Sequence, residues 1–234
     1  MSGYSKEYYS NHCGMEYGNE DQWIPLFQRF ADHIVQDFAP KRVLDIGCAF
    51  GYMVKYLRER GVEAWGIDTS TYAISQADEK IQPYLRVSSA CDNLPNDMPQ
   101  HYDMVINIEV IEHMTMEDGS KALDKMCTYA DIILFSSTGE DYDNPTHINV
   151  QQPEFWAKQF ALRGFYKNLQ YDMEYLSKYA FAFHKKNIDN NDIVFGYERA
   201  LRYEKSCYAK EQITSSKLAQ DIETVREQRA TDEK

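Results

Sequence analysis

The residues best suited to chemistry begin with Asp45-Ile46-Gly47-Cys48-Ala49-Phe50-Gly51, where an apolar run enters a tight glycine turn. Glycine lets a backbone approach a ligand closely. A dinucleotide cradle would need G-x-G-x-x-G and a helix N-terminus free for pyrophosphate. Here an acid, Asp45, stands two residues before the first glycine. It would repel a pyrophosphate and suits a nucleoside carrying an ammonium or sulfonium charge. Asp68 ends the next apolar run, Ala64-Trp65-Gly66-Ile67, where a carboxylate accepts from ribose hydroxyls. Further on, Glu109-Val110-Ile111-Glu112-His113 would bring Glu109, Glu112 and His113 to one face if a helical turn forms. His147 lies in a second polar segment, residues 143–150. Converging there, these carboxylates and imidazoles could take a proton from an acceptor hydroxyl. They could equally hold an oxygen-preferring divalent cation such as Mg2+ or Mn2+, which would lower the pKa of a bound hydroxyl.

The elements that must position these residues read as alternating strands and helices. Residues 22–38 have helical spacing, with Ile24, Phe27, Phe30, Ala31 and Ile34 on one side, closed by Pro40. Strands are expected at 42–46, 63–67, 84–87, 103–108 and 131–135, and a final antiparallel pair at 167–173 and 179–184. Helices are expected at 52–60 (stopped by Gly61), from Thr69 or Ser70 to about Lys80, and at 153–162. The apolar strands predict a doubly wound, mostly parallel sheet of seven strands, α/β in class, covered on both faces.

The chain has 234 residues and a formal net charge of −12, enough for one domain with appendages. No apolar run approaches the ~18–20 residues of a membrane span, and the polar N-terminus lacks a signal core. Cys13, Cys48, Cys91, Cys127 and Cys207 are scattered, with neither metal-type pairs nor a disulfide framework, so a reduced, cytoplasmic protein is expected. The acidic balance, without clustered Lys and Arg, argues against a nucleic-acid partner. Past the polar break at 187–192, the chain lacks Pro throughout and lacks Gly beyond Gly196, with Leu218, Ile222 and Val225 at i, i+4 and i+7. This reads as a long helix, a short coiled coil or a solvated tail, through which a second copy or a protein partner could dock. The expected organisation is an N-terminal lid and first helix over 1–38, a core domain over 39–188 and a helical extension over 189–234.

On these residues the chain resembles the class I S-adenosylmethionine (SAM)-dependent methyltransferases. The acid-x-Gly-x-Gly-x-Gly motif is matched by Asp45, Gly47 and Gly51, with Ala49 at the middle glycine and Cys48 inside the turn. The resemblance implies a Rossmann-like fold over residues 40–185, SAM as cofactor, Asp68 on the ribose and Asp92 on the adenine. The family's fourth motif falls on Tyr102-Asp103-Met104-Val105-Ile106-Asn107-Ile108 and brings Asn107 to the cofactor. The Glu-x-x-Glu-His run resembles ubiquinone-biosynthesis O-methyltransferases and small-RNA 2′-O-methyltransferases, which implies Glu109, Glu112, His113 and His147 as metal ligands. The RNA enzymes carry an Asp-His-x-Phe-type segment where this chain has Thr146-His147-Ile148-Asn149. Residues 143–156, with Tyr8, Tyr9 and Trp23, resemble bacterial methyltransferases of polysaccharide assembly, which implies an N-terminal lid and a glycan or small-molecule acceptor. The expectation is therefore an O-methyltransferase acting on a carbohydrate or nucleotide-sugar, with His113 or His147 activating the acceptor. The alternatives are a phenolic metabolite or RNA 3′ end as acceptor, or a non-catalytic fold relative serving assembly.

Overall fold

The structure is a computed structural model that describes residues 4–11, 16–186 and 189–232; for Glu20, Leu218, Ala219 and 221–232 only the backbone is described. Cys13 lies outside the described residues. The chain divides into two units, residues 1–186 and 187–234.

In the first unit, α1 (Lys6–Asn11) and α2 (Glu20–Phe38) precede β1 (Arg42–Ile46), α3 (Tyr52–Glu59), β2 (Glu63–Asp68), α4 (Thr71–Ser75) and β3 (Leu85–Val87). Then follow β4 (Met104–Ile108), a 3-10 turn (Ile111–His113), α5 (Met116–Tyr129), β5 (Ile132–Ser136), α6 (Pro153–Ala161), β6 (Phe165–Lys167) and β7 (Phe181–Lys185). The strands form one seven-stranded sheet in the order β3-β2-β1-β4-β5-β7-β6. Only β7 runs antiparallel to its neighbours, β5 and β6. The expected fold class is the one observed.

Side-chain alternation along the central strands builds a core on each face. Val43, Met104, Ile106 and Leu134 pack with Phe30, Ala31 and Ile34 of α2 and Val54 and Leu57 of α3. Leu44, Ile46, Val105, Ile133 and Phe135 pack with Leu123 and Met126 of α5 and Trp156 and Phe160 of α6. Each such aliphatic side chain contributes about 1.5–3 kcal/mol when withdrawn fully from water. The order reverses direction between β1 and β4, so the carboxyl ends of β1, β2 and β4 open the crevice where α/β sheets bind ligands.

Three expected elements are corrected. The helix after Ser70 ends at Ser75 instead of about Lys80, because Asp78 folds the chain into a turn: its carboxylate accepts from Lys80 N–H and its carbonyl from Ile81 and Gln82. The sixth strand is Phe165–Lys167, not 167–173; Asn168 Oδ1 accepts from Gln170 N–H and turns the chain out of the sheet. The seventh is Phe181–Lys185, shifted from 179–184. The sequence reading contained no α5; Thr115 starts it by accepting from Asp118 N–H.

The second unit is one helix, α7 (Asn190–Asp232). Its described side chains include exposed Val194, Phe195, Leu201, Tyr208 and Ile213. The expected seam of Leu218, Ile222 and Val225 lies outside the described side chains. Among the described residues, no helix is long and apolar enough to cross a membrane.

Candidate active site

The glycine turn after β1 is fixed from below by backbone and from the side by one carboxylate. Gly47 and Cys48 N–H both donate to the Ile67 carbonyl, at 2.8 and 3.0 Å. Asp68 Oδ2 accepts from Ala49 N–H at 2.9 Å and Oδ1 from Ser70 N–H at 2.7 Å. Ser70 in turn caps α4 through Ala73 N–H. Asp68 therefore ties the turn to the start of the next helix. The sequence reading missed Gly66: a Cβ there would lie 2.8 Å from the Cβ and Sγ of Cys48, so β2 is bare where the turn folds over it. Ala49, at the usual middle glycine, has φ +47, a left-handed strain of roughly 1–2 kcal/mol offset by its bond to Asp68.

Gly47 has φ +85, and a Cβ on it would sit 2.3 Å from Val110 Cγ2. Gly47→Ala is expected to cost about 1–3 kcal/mol, a fall of several degrees in the calorimetric unfolding midpoint. Gly47→Ala with Val110→Ala should recover part of it, because the clash is relieved and the backbone strain is not. An unchanged midpoint in the single variant would contradict this geometry.

Two acids are buried together beside the turn. Burial, and then the nearby Asp68, push the Asp45 carboxyl up to about 8. Burial likewise raises Asp68, opposed by the N–H groups it accepts from. Asn107, buried at the end of β4, donates to the Ile46 carbonyl at 3.0 Å, and its Oδ1 has no hydrogen-bond partner among the described residues. Buried carboxyl groups and an amide oxygen without a partner among the described residues form a set of acceptors beside the turn. It fits a cationic nucleoside such as SAM. Asp92, expected at the adenine, is exposed on the turn after β3, where its backbone N–H donates to the Ser89 carbonyl.

The second cluster lies after β4 and β5. Glu109 takes a left-handed backbone, φ +52, and its carboxylate accepts from Ser136 Oγ at 2.6 Å. Strain of this kind concentrates at functional sites. Glu112 is fully buried, and neither carboxylate oxygen has a hydrogen-bond partner among the described residues. Burial, with Glu109 adding to it, raises its carboxyl well above the ordinary range. The Glu112 carbonyl accepts from Ile148 and Asn149 N–H, at 2.9 and 3.0 Å. That clamp joins the two loops and brings the His113 and His147 rings to 4.7 Å between centroids.

One ligand atom each from Glu112, His113 and His147 lies within 4.8 Å of the others. Glu109, the fourth ligand expected, is not in that group and is turned to Ser136. His113 Nδ1 faces the Thr146 carbonyl, and its Nε2 faces the Tyr8 hydroxyl at 3.2 Å. Burial, and then His147, push the His113 imidazole down to about 4. His147 Nδ1 faces Asp141, and its Nε2 faces Asn144 Nδ2 at 3.2 Å.

The N-terminal segment lies over both clusters. The Tyr4 carbonyl accepts from Ser70 Oγ at 2.6 Å, and the rings of Tyr4 and Tyr8 stand edge-on to His113. Tyr9 packs on Phe50 and Tyr72, and Tyr17 on Trp23, Phe50 and Tyr52. The Tyr4 phenol is raised by burial and then by Asp68 and Glu112, so it senses an acid of each cluster.

Comparison with known proteins agrees with this architecture. Residues 15–170 match the family described as "Methyltransferase domain". Among curated proteins, the ubiquinone biosynthesis O-methyltransferase of Nitrosomonas europaea is 28% identical over 96 residues, 38% of this chain and 40% of that one. The chain thus aligns with about two fifths of that relative's length. Among solved structures, a SAM-dependent methyltransferase from Archaeoglobus fulgidus superimposes with a TM-score of 0.55 at 20% identity, covering 70% of this chain and 94% of that chain. Magnesium protoporphyrin IX methyltransferase from Synechocystis PCC 6803 with bound S-adenosylhomocysteine (SAH) gives 0.53 at 16% identity, covering 76% and 95%. At these identities the structures speak to the fold, and the family match speaks to descent. With more than half its length inside that family, the chain belongs to the class I SAM-dependent methyltransferases.

Proposed function

We propose that this chain catalyses O-methylation of a carbohydrate or nucleotide-sugar hydroxyl. The observation that carries the chemistry is the convergence of Glu112, His113 and His147 beside the cofactor turn. When bound, SAM would supply an electrophilic methyl group for the acceptor oxygen. Asp45 and Asn107 would hold the methionine end, Asp68 the ribose and Asp92 the adenine. His147, whose Nε2 faces Asn144 Nδ2 at 3.2 Å, takes the acceptor's proton when the acceptor hydroxyl displaces that amide. His113, neutral down to about pH 4, orients the hydroxyl. Tyr4 and Tyr8 form a lid that excludes water from the reacting centre. Exposed Tyr142 and Ile148, next in sequence to Asp141 and His147, are the apolar side chains of this loop on which a sugar face would rest. The scattered cysteines make the cytoplasm the proposed compartment.

The buried, unpartnered Glu112 favours a second reading of the same site. Glu112, His113 and His147 would hold Mg2+ or Mn2+, which would lower the pKa of the hydroxyl to be methylated. The acceptor in this reading is a small phenolic metabolite, and the similarity to ubiquinone biosynthesis O-methyltransferases supports transfer to an oxygen. The test is SAH formation over a panel of sugar, nucleotide-sugar and catechol acceptors, before and after exhaustive chelation. With His147 as base, turnover should stay within about twofold. Loss restored by Mg2+ or Mn2+ would establish the cation reading, and a catechol preference the phenolic one. No SAH with any acceptor would leave the assembly-partner alternative.

A further inference from the structure

We propose that Tyr8 is a gate residue: its hydroxyl holds the acceptor's place on His113 Nε2, and the acceptor hydroxyl enters by displacing it. This rests on the reading in which His113 orients the hydroxyl to be methylated.

The N-terminal segment is anchored on either side of Tyr8. Ser70 Oγ donates to the Tyr4 carbonyl at 2.6 Å, and Tyr17 N–H to the Tyr9 carbonyl at 2.9 Å. Of the residues of α1, Tyr9 alone is buried. Its ring centroid lies 5.1 Å from that of Phe50 and 6.0 Å from that of Tyr72. Successive helical residues project about 100° apart. With Tyr9 turned to the cofactor turn, Tyr8 is turned away from it and reaches the second cluster. Its ring stands edge-on to Tyr4, at 4.9 Å between centroids, and to His113, at 5.8 Å. Its hydroxyl lies 3.2 Å from His113 Nε2.

This contact has a direction. The Thr146 carbonyl, 3.2 Å from His113 Nδ1, can only accept. In the neutral ring the proton therefore sits on Nδ1, and Nε2 offers its lone pair to the Tyr8 hydroxyl. An acceptor hydroxyl oriented by His113 must donate to that same lone pair, and a pyridine-type nitrogen has one. Tyr8 and the acceptor are thus mutually exclusive on this atom. The contact is also weakly held. Its 3.2 Å exceeds the about 2.5–3.0 Å of hydroxyl-to-oxygen bonds. A six-residue helix with one buried side chain belongs to the low-stability end of a fold. His147 Nε2 is closed in the same manner by Asn144 Nδ2, so each imidazole lone pair is met by a donor of the chain itself.

The test uses the full chain with SAM and an acceptor from the panel. Tyr8→Phe removes the hydroxyl and keeps the ring. The acceptor KM should fall about two- to tenfold, the worth of one hydrogen bond, without a rise in kcat. An unchanged KM would overturn the proposal, and so would a raised one, which would make Tyr8 part of the acceptor's own binding site. A second arm needs no turnover. Tyr8→Ala and the wild type are titrated with phenol and with benzene by calorimetry. Phenol, which restores a hydroxyl at His113, should bind Tyr8→Ala about tenfold tighter than benzene does, and tighter than it binds the wild type. Equal affinities for phenol and benzene, or no phenol binding to Tyr8→Ala, would overturn the proposal. If the wild type methylates nothing, the functional reading fails while the phenol titration still decides whether His113 Nε2 is a hydroxyl seat.

Discussion

Asp68→Ala is expected to abolish SAM binding by calorimetry at concentrations that saturate the wild type, a loss of at least about 100-fold. One carboxylate serves two structures here. It holds the turn through Ala49 N–H and the start of α4 through Ser70 N–H, and in the proposed reading its remaining lone pairs accept from the ribose. Each hydrogen bond to a charged group contributes about 1.5–3 kcal/mol, and the two backbone donors would be left buried and unpaired. The unfolding midpoint should fall with the affinity. Asp68→Asn separates the two effects, because its amide keeps the shape and one acceptor: stability should recover more than binding does. Retained SAM affinity in Asp68→Ala with the fold intact would remove the cofactor assignment. A wild-type pocket that preferred NAD or ATP would remove it altogether.

The fold was legible where one physical requirement dominated. Leu44, Ile46, Val105 and Phe135 alternate with Val43, Met104, Ile106 and Leu134 between two apolar layers, and strands buried on both faces appear in sequence as unbroken apolar runs. The glycine turn was legible because few residue types tolerate its backbone. Legibility failed where a local polar bond overrode a pattern. Leu169, Tyr171 and Met173 alternate like a strand, but Asn168 turns the chain first, and Tyr171 and Met173 pack instead against the α2 face of the core. In the site, Glu112, His113 and His147 were readable as residue types near strand ends. Their meeting was not, because it depends on the Glu112 carbonyl accepting from Ile148 and Asn149, and backbone bonds between loops leave no mark on composition.

SAM should bind more tightly as pH rises toward 8 and should expel a proton below it. Burial, and secondarily Asp68, raise the Asp45 carboxyl from 3.8 to about 8, so at pH 7 the free protein holds it largely protonated. A cation placed against it favours the anion, so binding must first displace that proton. By linkage, affinity then falls up to about tenfold for each pH unit below 8. Above that, the ligand's own α-amino group, which titrates near about 8, limits the gain. Calorimetry in buffers of different ionisation enthalpy should show release approaching one proton per SAM at pH 6.5. Asp45→Asn should abolish the release and flatten the pH dependence, with weaker binding at pH 8. The same shift has a sign for stability. The folded state keeps a proton that the unfolded chain gives up above 3.8, so this group's contribution is full at low pH and is lost as pH rises through about 8. The thermal stabilisation conferred by saturating SAM should therefore grow between pH 6 and 8. If affinity and proton release were instead flat across that range, Asp45 would be ionised without its ligand, and the case for a pocket built around a cation would fail at its first residue.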